Sequence, residues 1–191
     1  LLSSPVRAAE GDELPRLNLS RRAARTPAPP LGTYLRTFGE LSLGKGLHLN
    51  NPYRLGTVDA VGFSATYLDL GVGLVVGPPD GLAHGGRISL LVATDGISQQ
   101  VMDFSYVALL PLGEHALVRG RAGMPVVLSP DSTVGLEAAV GGAWLFTGGI
   151  GASAELVGSL FYGAATPERA TTTIPVLALQ IGAWFEFEVL P

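Results

Sequence analysis

From Val134 onward the chain alternates. Val134, Leu136, Ala138, Val140, Gly142 and Trp144 occupy one parity; Gly135, Glu137, Ala139, Gly141 and Ala143 occupy the other. Successive side chains of a β-strand point to opposite faces, so a two-residue period predicts a strand with one apolar face. Two later segments repeat it. Ile150, Ala152, Ala154 and Leu156 oppose Gly151, Ser153 and Glu155, and Leu177, Leu179, Ile181, Ala183, Phe185 and Phe187 oppose Gln180, Gly182, Trp184 and Glu186. The same test predicts five earlier strands, near 35–49, 61–76, 86–94, 101–110 and 116–127. Eight strands result.

Helix is the poorer reading. The longest uncharged run, Ala138 to Ala154, contains five glycines, and each costs a helix interior about 1 kcal/mol. Between the strands lie turn formers such as Asn50-Asn51-Pro52, Gly77-Pro78-Pro79-Asp80-Gly81, Asp95-Gly96 and Ser129-Pro130-Asp131-Ser132. No gap has room for a crossover helix, which a parallel pair would need. The expected fold is therefore all-β: a closed eight-stranded antiparallel up-and-down barrel. The connections at 50–60, 95–100, 128–133 and 162–173 should share one end.

The distribution of charge sets which face looks inward. The non-apolar parity carries Arg36, Glu40, Asp69, Arg87, Asp103, Arg119, Arg121, Glu137, Glu155 and Glu186, and the apolar parity carries only Lys45. Glycine, serine and alanine fill the positions between those charges. Small residues suit the lumen of an eight-stranded barrel, which side chains just fill. A transmembrane barrel turns its apolar parity outward, the reverse of a soluble one. The ten charged residues are thus expected to form an ion-paired lumen network, with Glu137 as first partner for Arg119 or Arg121. Lys45 fits only if a bulge at Gly44 and Gly46 turns it inward or if it extends to the rim. The alternative is a soluble, lipocalin-like carrier with an apolar cavity.

Composition agrees with this reading. Of 191 residues only 15% are charged, against about 25% in ordinary soluble domains. The absence of cysteine excludes a disulfide scaffold, and a net charge of −4 offers nucleic acid no basic footprint. Residues 1–30 differ from the rest: they hold 8 of the 28 charges and end in Pro27-Ala28-Pro29-Pro30. They read as a signal-peptide remnant and flexible leader, with Val6 and Ala8 as small cleavage-site residues. The barrel is assigned to 31–191.

The closing segment Gln180-Ile181-Gly182-Ala183-Trp184-Phe185-Glu186-Phe187 resembles the C-terminal β-signal of bacterial outer-membrane barrels, matching it at Gln180, Gly182, Phe185 and Phe187. It departs from it in that Glu188-Val189-Leu190-Pro191 follow the final aromatic residue. The resemblance implies a place in the bacterial outer membrane, with the lipid bilayer and the outer-membrane insertion machinery as partners. Aromatic girdles are expected at both rims, with Tyr34, Phe146, Trp184 and Phe185 at one and Tyr53, Phe63, Phe104 and Tyr162 at the other.

Catalytic and cofactor motifs are few. His48, His84 and His115 lie on separate segments without metal-ligand spacing. His48 with Ser64 is the one constellation that resembles a lipid-modifying outer-membrane hydrolase, and His48 with Asp103 the one that resembles an outer-membrane protease. Gly148-Gly149-Ile150-Gly151 lacks the lysine and following helix of a phosphate loop. No cofactor and no metal are expected. The function expected is a structural or interaction barrel acting through its loops, with a narrow pore for small solutes as the alternative.

Overall fold

The computed structural model describes residues 34–49, 61–96, 98–130, 132–147, 149–162 and 173–190, the side chains of the last strand through Phe187. The leader assigned to 1–30 and the rim residue Tyr53 lie outside the described residues. Eight strands run in chain order: β1 Tyr34–His48, β2 Gly62–Gly77, β3 Ala83–Ala93, β4 Gln100–Pro111, β5 Ala116–Ser129, β6 Thr133–Thr147, β7 Ile150–Tyr162 and β8 Thr173–Leu190. Each pairs antiparallel with the next, and β8 returns to β1, closing the barrel. Every strand expected from the alternation is present, and β3 and β8 begin earlier than the pattern suggested.

At the near end, where β1 starts and β8 finishes, the connections are short: 78–82, 112–115 and 148–149. Gly113 and Gly149 take positive φ there, at 84° and 80°, as a tight reversal requires. The far end carries 49–61, 94–99, 130–132 and 163–172. The four connections expected to share one end therefore do so.

The apolar parity faces outward throughout. Leu70, Val72, Leu136, Val140, Leu179 and Ile181 are all more than half exposed, while the strand neighbours Asp69 and Gln180 are enclosed. A soluble carrier would show the opposite arrangement. Large inward side chains alternate around the lumen with glycine on the neighbouring strand. Arg87 stands opposite Gly73, Glu137 opposite Gly123, Glu155 opposite Gly141 and Gln180 opposite Gly44. A Cβ on Gly71 would come within 2.7 Å of the Arg87 guanidinium, and one on Gly123 within 2.8 Å of Asp103 Oδ1.

Lys45 remains on the outer face. The register does shift between Lys45 and Leu47, but Lys45 stays exposed, with Nζ 3.7 Å from Asp95 Oδ2 and 5.9 Å from the Phe63 ring centroid. Extension to the rim, rather than inward rotation, resolves the misfit. Asp95 also accepts hydrogen bonds from Thr66 N and Thr66 Oγ1, at 2.6 and 2.9 Å. The bond from the Thr66 backbone N–H, with lesser help from the Lys45 charge, holds the Asp95 carboxyl below its ordinary pKa.

Candidate functional site

The lumen is filled in layers; besides the two below, Val101, Val127, Val157 and Ile174 are buried toward the far end. The near-end layer is apolar: Phe38, Val75, Val107, Leu109, Leu117 and Trp184 form one buried cluster with Ala83 and Ala143. Phe38 and Trp184 stack with centroids 4.6 Å apart and planes at 11°. The Arg119 guanidinium lies over the Trp184 ring at 5.2 Å and joins this layer to the next. Tyr34 and Trp184, expected on a rim girdle, are corrected by these positions: both point inward, and Trp184 is 0% exposed. Trp184 shares parity with Gln180 and Glu186, which directs it to the lumen. Phe146, Phe63, Phe104 and Tyr162 are exposed on the outer face as expected, and Phe185 is half-buried there. Tyr106 and Trp144 join the outward aromatics, beside His84 and His115 respectively.

The middle layer is a belt of ion pairs. Arg119 binds Glu40 through both terminal nitrogens, with Nη1 2.7 Å from Oε2, and its Nε lies 3.0 Å from Glu155 Oε1. Arg121 Nε donates to Glu155 Oε2 at 2.9 Å; its Nη1 bonds Glu137 and lies 3.2 Å from Asp103 Oδ2. Arg87 Nη2 donates to Asp69 Oδ2 at 2.7 Å and lies 3.5 Å from Glu40, while its Nη1 lies 3.5 Å from Asp103. Ser89, Ser105, Ser153 and Ser159 supply further hydrogen bonds to Arg87, Asp103, Glu40 and Glu137. Eight of the ten expected residues thus join one continuous network: Glu40, Asp69, Arg87, Asp103, Arg119, Arg121, Glu137 and Glu155.

Arg36 and Glu186 stand apart. They pair with each other at 2.8 Å at the near-end mouth, where Trp184 Nε1 also donates to Glu186 at 3.4 Å. A cavity of about 510 Å³ opens beside them, lined by Leu117, Leu145 and Phe187 among others. Glu137 pairs with an arginine as expected, and that arginine is Arg121. Arg119 instead reaches across the lumen to β1, a contact that neighbouring-strand reasoning does not reveal.

The hydrolase constellation is not assembled. Ser64 Oγ accepts from Gly46 N at 2.8 Å and donates to the Ala65 carbonyl at 2.7 Å, serving the register shift in β1. Asp103 is committed to Ser105 and Arg121, and among the described residues neither Ser64 nor Asp103 bonds His48. No group of side chains among the described residues could hold a metal ion. Of the four motif residues on β8, Gln180 and Gly182 face the lumen and Phe187 is exposed on the outside. A Cβ on Gly182 would collide with Leu41 O and Ser42 of β1, so close packing at the seam alone requires that glycine.

No protein-family model matches the chain, and no curated protein matches it in sequence. Solved structures do resemble it. The crystal structure of Neisserial surface protein A aligns with a TM-score of 0.52 at 12% identity, over 82% of this chain and 99% of that one. The outer-membrane protein AlkL aligns over 99% of this chain and 97% of its own, with a TM-score of 0.45 and 11% identity. The Ail protein of Yersinia pestis aligns over 81% and 99%, with a TM-score of 0.42 and 13% identity. The fold is that of the small eight-stranded outer-membrane barrels.

Proposed function

We propose that this chain is a bacterial outer-membrane barrel that spans the bilayer as a closed cylinder and acts as a structural or interaction protein through its far-end connections. The observation that carries the reading is the filled lumen. Glu40, Asp69, Arg87, Asp103, Arg119 and Glu155 are each at most 4% exposed, which supports a plugged lumen over a water-filled one. Two features support the membrane setting. The outward face is a band of Leu, Val and Ile, and the two longest connections, 49–61 and 163–172, both fall at the far end, as the extracellular loops of such barrels do, the opposite end being periplasmic. By that rule the far end of the barrel faces the cell exterior and is the end that meets a partner. The C-terminal residues Gln180, Gly182, Phe185 and Phe187 fit the role of an assembly signal read by the insertion machinery.

The full chain refolded into planar bilayers at neutral pH tests the reading. Insertion without stepwise ion current is expected. Steady single-channel current whose cation selectivity changes in Glu137→Gln would replace the plugged barrel by the narrow pore. Solubility of the native protein without detergent would remove the membrane assignment altogether.

A further inference from the structure

Of the twelve lysines and arginines in the chain, Lys45 is the only lysine. It is also the only formal charge on the outward face of the described strands, and its side chain is 51% exposed. At its height the β3 side of the wall ends: Lys45 pairs with Thr66, and the next residue, Tyr67, pairs with Ala93, the last of β3. Lys45 therefore stands at the far-end rim. A lysine on a lipid-facing wall ordinarily lifts its ammonium into the headgroup layer alone. This one has a carboxylate fixed beside it.

Asp95 is held by the end of β2. It accepts from Thr66 N at 2.6 Å and from Thr66 Oγ1 at 2.9 Å, and Thr94 N and Oγ1 donate to the Thr66 carbonyl at 2.8 and 3.0 Å. Gly96, at φ 70°, turns the connection back, and Ala93 N donates to the Gln99 carbonyl at 2.9 Å. The carboxylate is thus in place without Lys45. Lys45 Nζ lies 3.7 Å from Asp95 Oδ2, close enough for attraction and too far for a hydrogen bond. The Asp95 side chain is likewise 51% exposed, so the ammonium protons and the outer lone pairs of the carboxylate both remain open to a third group. An exposed pair so arranged adds little stability by itself.

We propose that Lys45 and Asp95 form a seat for the headgroup of a phosphoethanolamine lipid, with the phosphate on Lys45 Nζ and the ammonium on Asp95. The inference rests on the membrane reading above. The two protein charges stand side by side with opposite signs, as do those of the headgroup, which a two-carbon link keeps together. A purely anionic headgroup gains Lys45 but meets Asp95 as a like charge. A trimethylated ammonium has no proton to donate to the carboxylate. The wall toward the middle of the barrel suits the acyl chains: Leu43, Ile181 and Leu179, which stands opposite Lys45 on β8, are all exposed. Phe63, 78% exposed and with its ring centroid 5.9 Å from Nζ, flanks the seat.

The single lysine makes the test direct. The full chain, carrying isotope-labelled lysine and refolded in phosphate-free maltoside micelles, is titrated with short-chain phosphatidylethanolamine, phosphatidylglycerol and inorganic phosphate while the one lysine ammonium resonance is followed by NMR. Phosphatidylethanolamine should shift the resonance saturably, and phosphatidylglycerol should bind about five- to tenfold more weakly, the scale of one exposed like-charge contact. In Asp95→Asn, whose carboxamide oxygen still accepts from Thr66, that preference should vanish. Equal affinity for the two lipids in wild type, the same shift with inorganic phosphate, a preference that survives in Asp95→Asn, or no saturable shift in a folded barrel would each overturn the seat. If Asp95→Asn fails to fold, the wild-type comparison decides. A native chain soluble without detergent strikes the membrane reading and the seat with it, whereas a folded, detergent-requiring barrel that ignores both lipids strikes the seat alone.

Discussion

Arg119 ties its own strand, β5, to three others. It binds Glu40 on β1 with two nitrogens, approaches Glu155 on β7 with the third, and lays its guanidinium plane over Trp184 on β8. Only arginine, with donors fixed in a planar fork, can satisfy a carboxylate bidentately and stack on an indole at the same time. A buried charge left without its partner is worse than no charge at all, because the survivor stays desolvated. Arg119→Met alone and Glu40→Gln alone should each cost about 3–5 kcal/mol. The double variant should cost distinctly less than the sum. Denaturant unfolding of the four proteins in a double-mutant cycle measures the difference, and strictly additive losses would count against a coupled pair.

At the scale of the strand, alternation dictated most of the fold. Polar or small residues at every second position announced which parity would line a narrow lumen, and the charged members of that parity all lie inside. The sequence was least legible where both parities are apolar. Val107, Ala108, Leu109 and Leu110 of β4 read as one hydrophobic run, yet Val107 and Leu109 belong to the inner near-end layer and Leu110 is exposed outside. Pairings across the lumen were illegible for another reason: Arg119 to Glu40 depends on how closure brings β5 opposite β1, which no single strand encodes. The inward glycines gain their meaning only with those partners in place. Gly71 faces the Arg87 guanidinium with no room for a Cβ. Gly71→Val should therefore displace Arg87 from Asp69 and cost about 1–3 kcal/mol, as overpacking of a filled core does. Thermal or urea unfolding of the refolded variant provides the measurement. Gly120→Val is the control, since a Cβ there meets nothing closer than 4.0 Å.

The whole molecule inverts the usual relation of core to surface. Its interior is held by ion pairs and an aromatic plug, and its apolar side chains face out. In water such an outer face would drive aggregation, because contiguous exposed apolar area is the mark of a surface meant to be covered. In a bilayer the same face is matched to its surroundings and the charged belt is shielded by the wall. Leu156 tests the inversion well. It lies at the middle of β7, is 47% exposed, and stands between Val140 on β6 and Leu179 on β8. Its strand neighbours Glu155 and Val157 point inward and are enclosed. Leu156→Arg changes nothing in the lumen and places a cation on the outer wall at mid-height. In lipid vesicles the substitution should destabilise the folded barrel by about 2–4 kcal/mol, the depth-dependent cost of a cation on the lipid face. Ile150→Arg, at the near-end start of β7, should cost less, since the penalty falls toward the interface. Equilibrium unfolding in vesicles, monitored by the gel-mobility shift of folded barrels, measures both. Equal, small effects at the two positions would mean that water, not lipid, surrounds the wall.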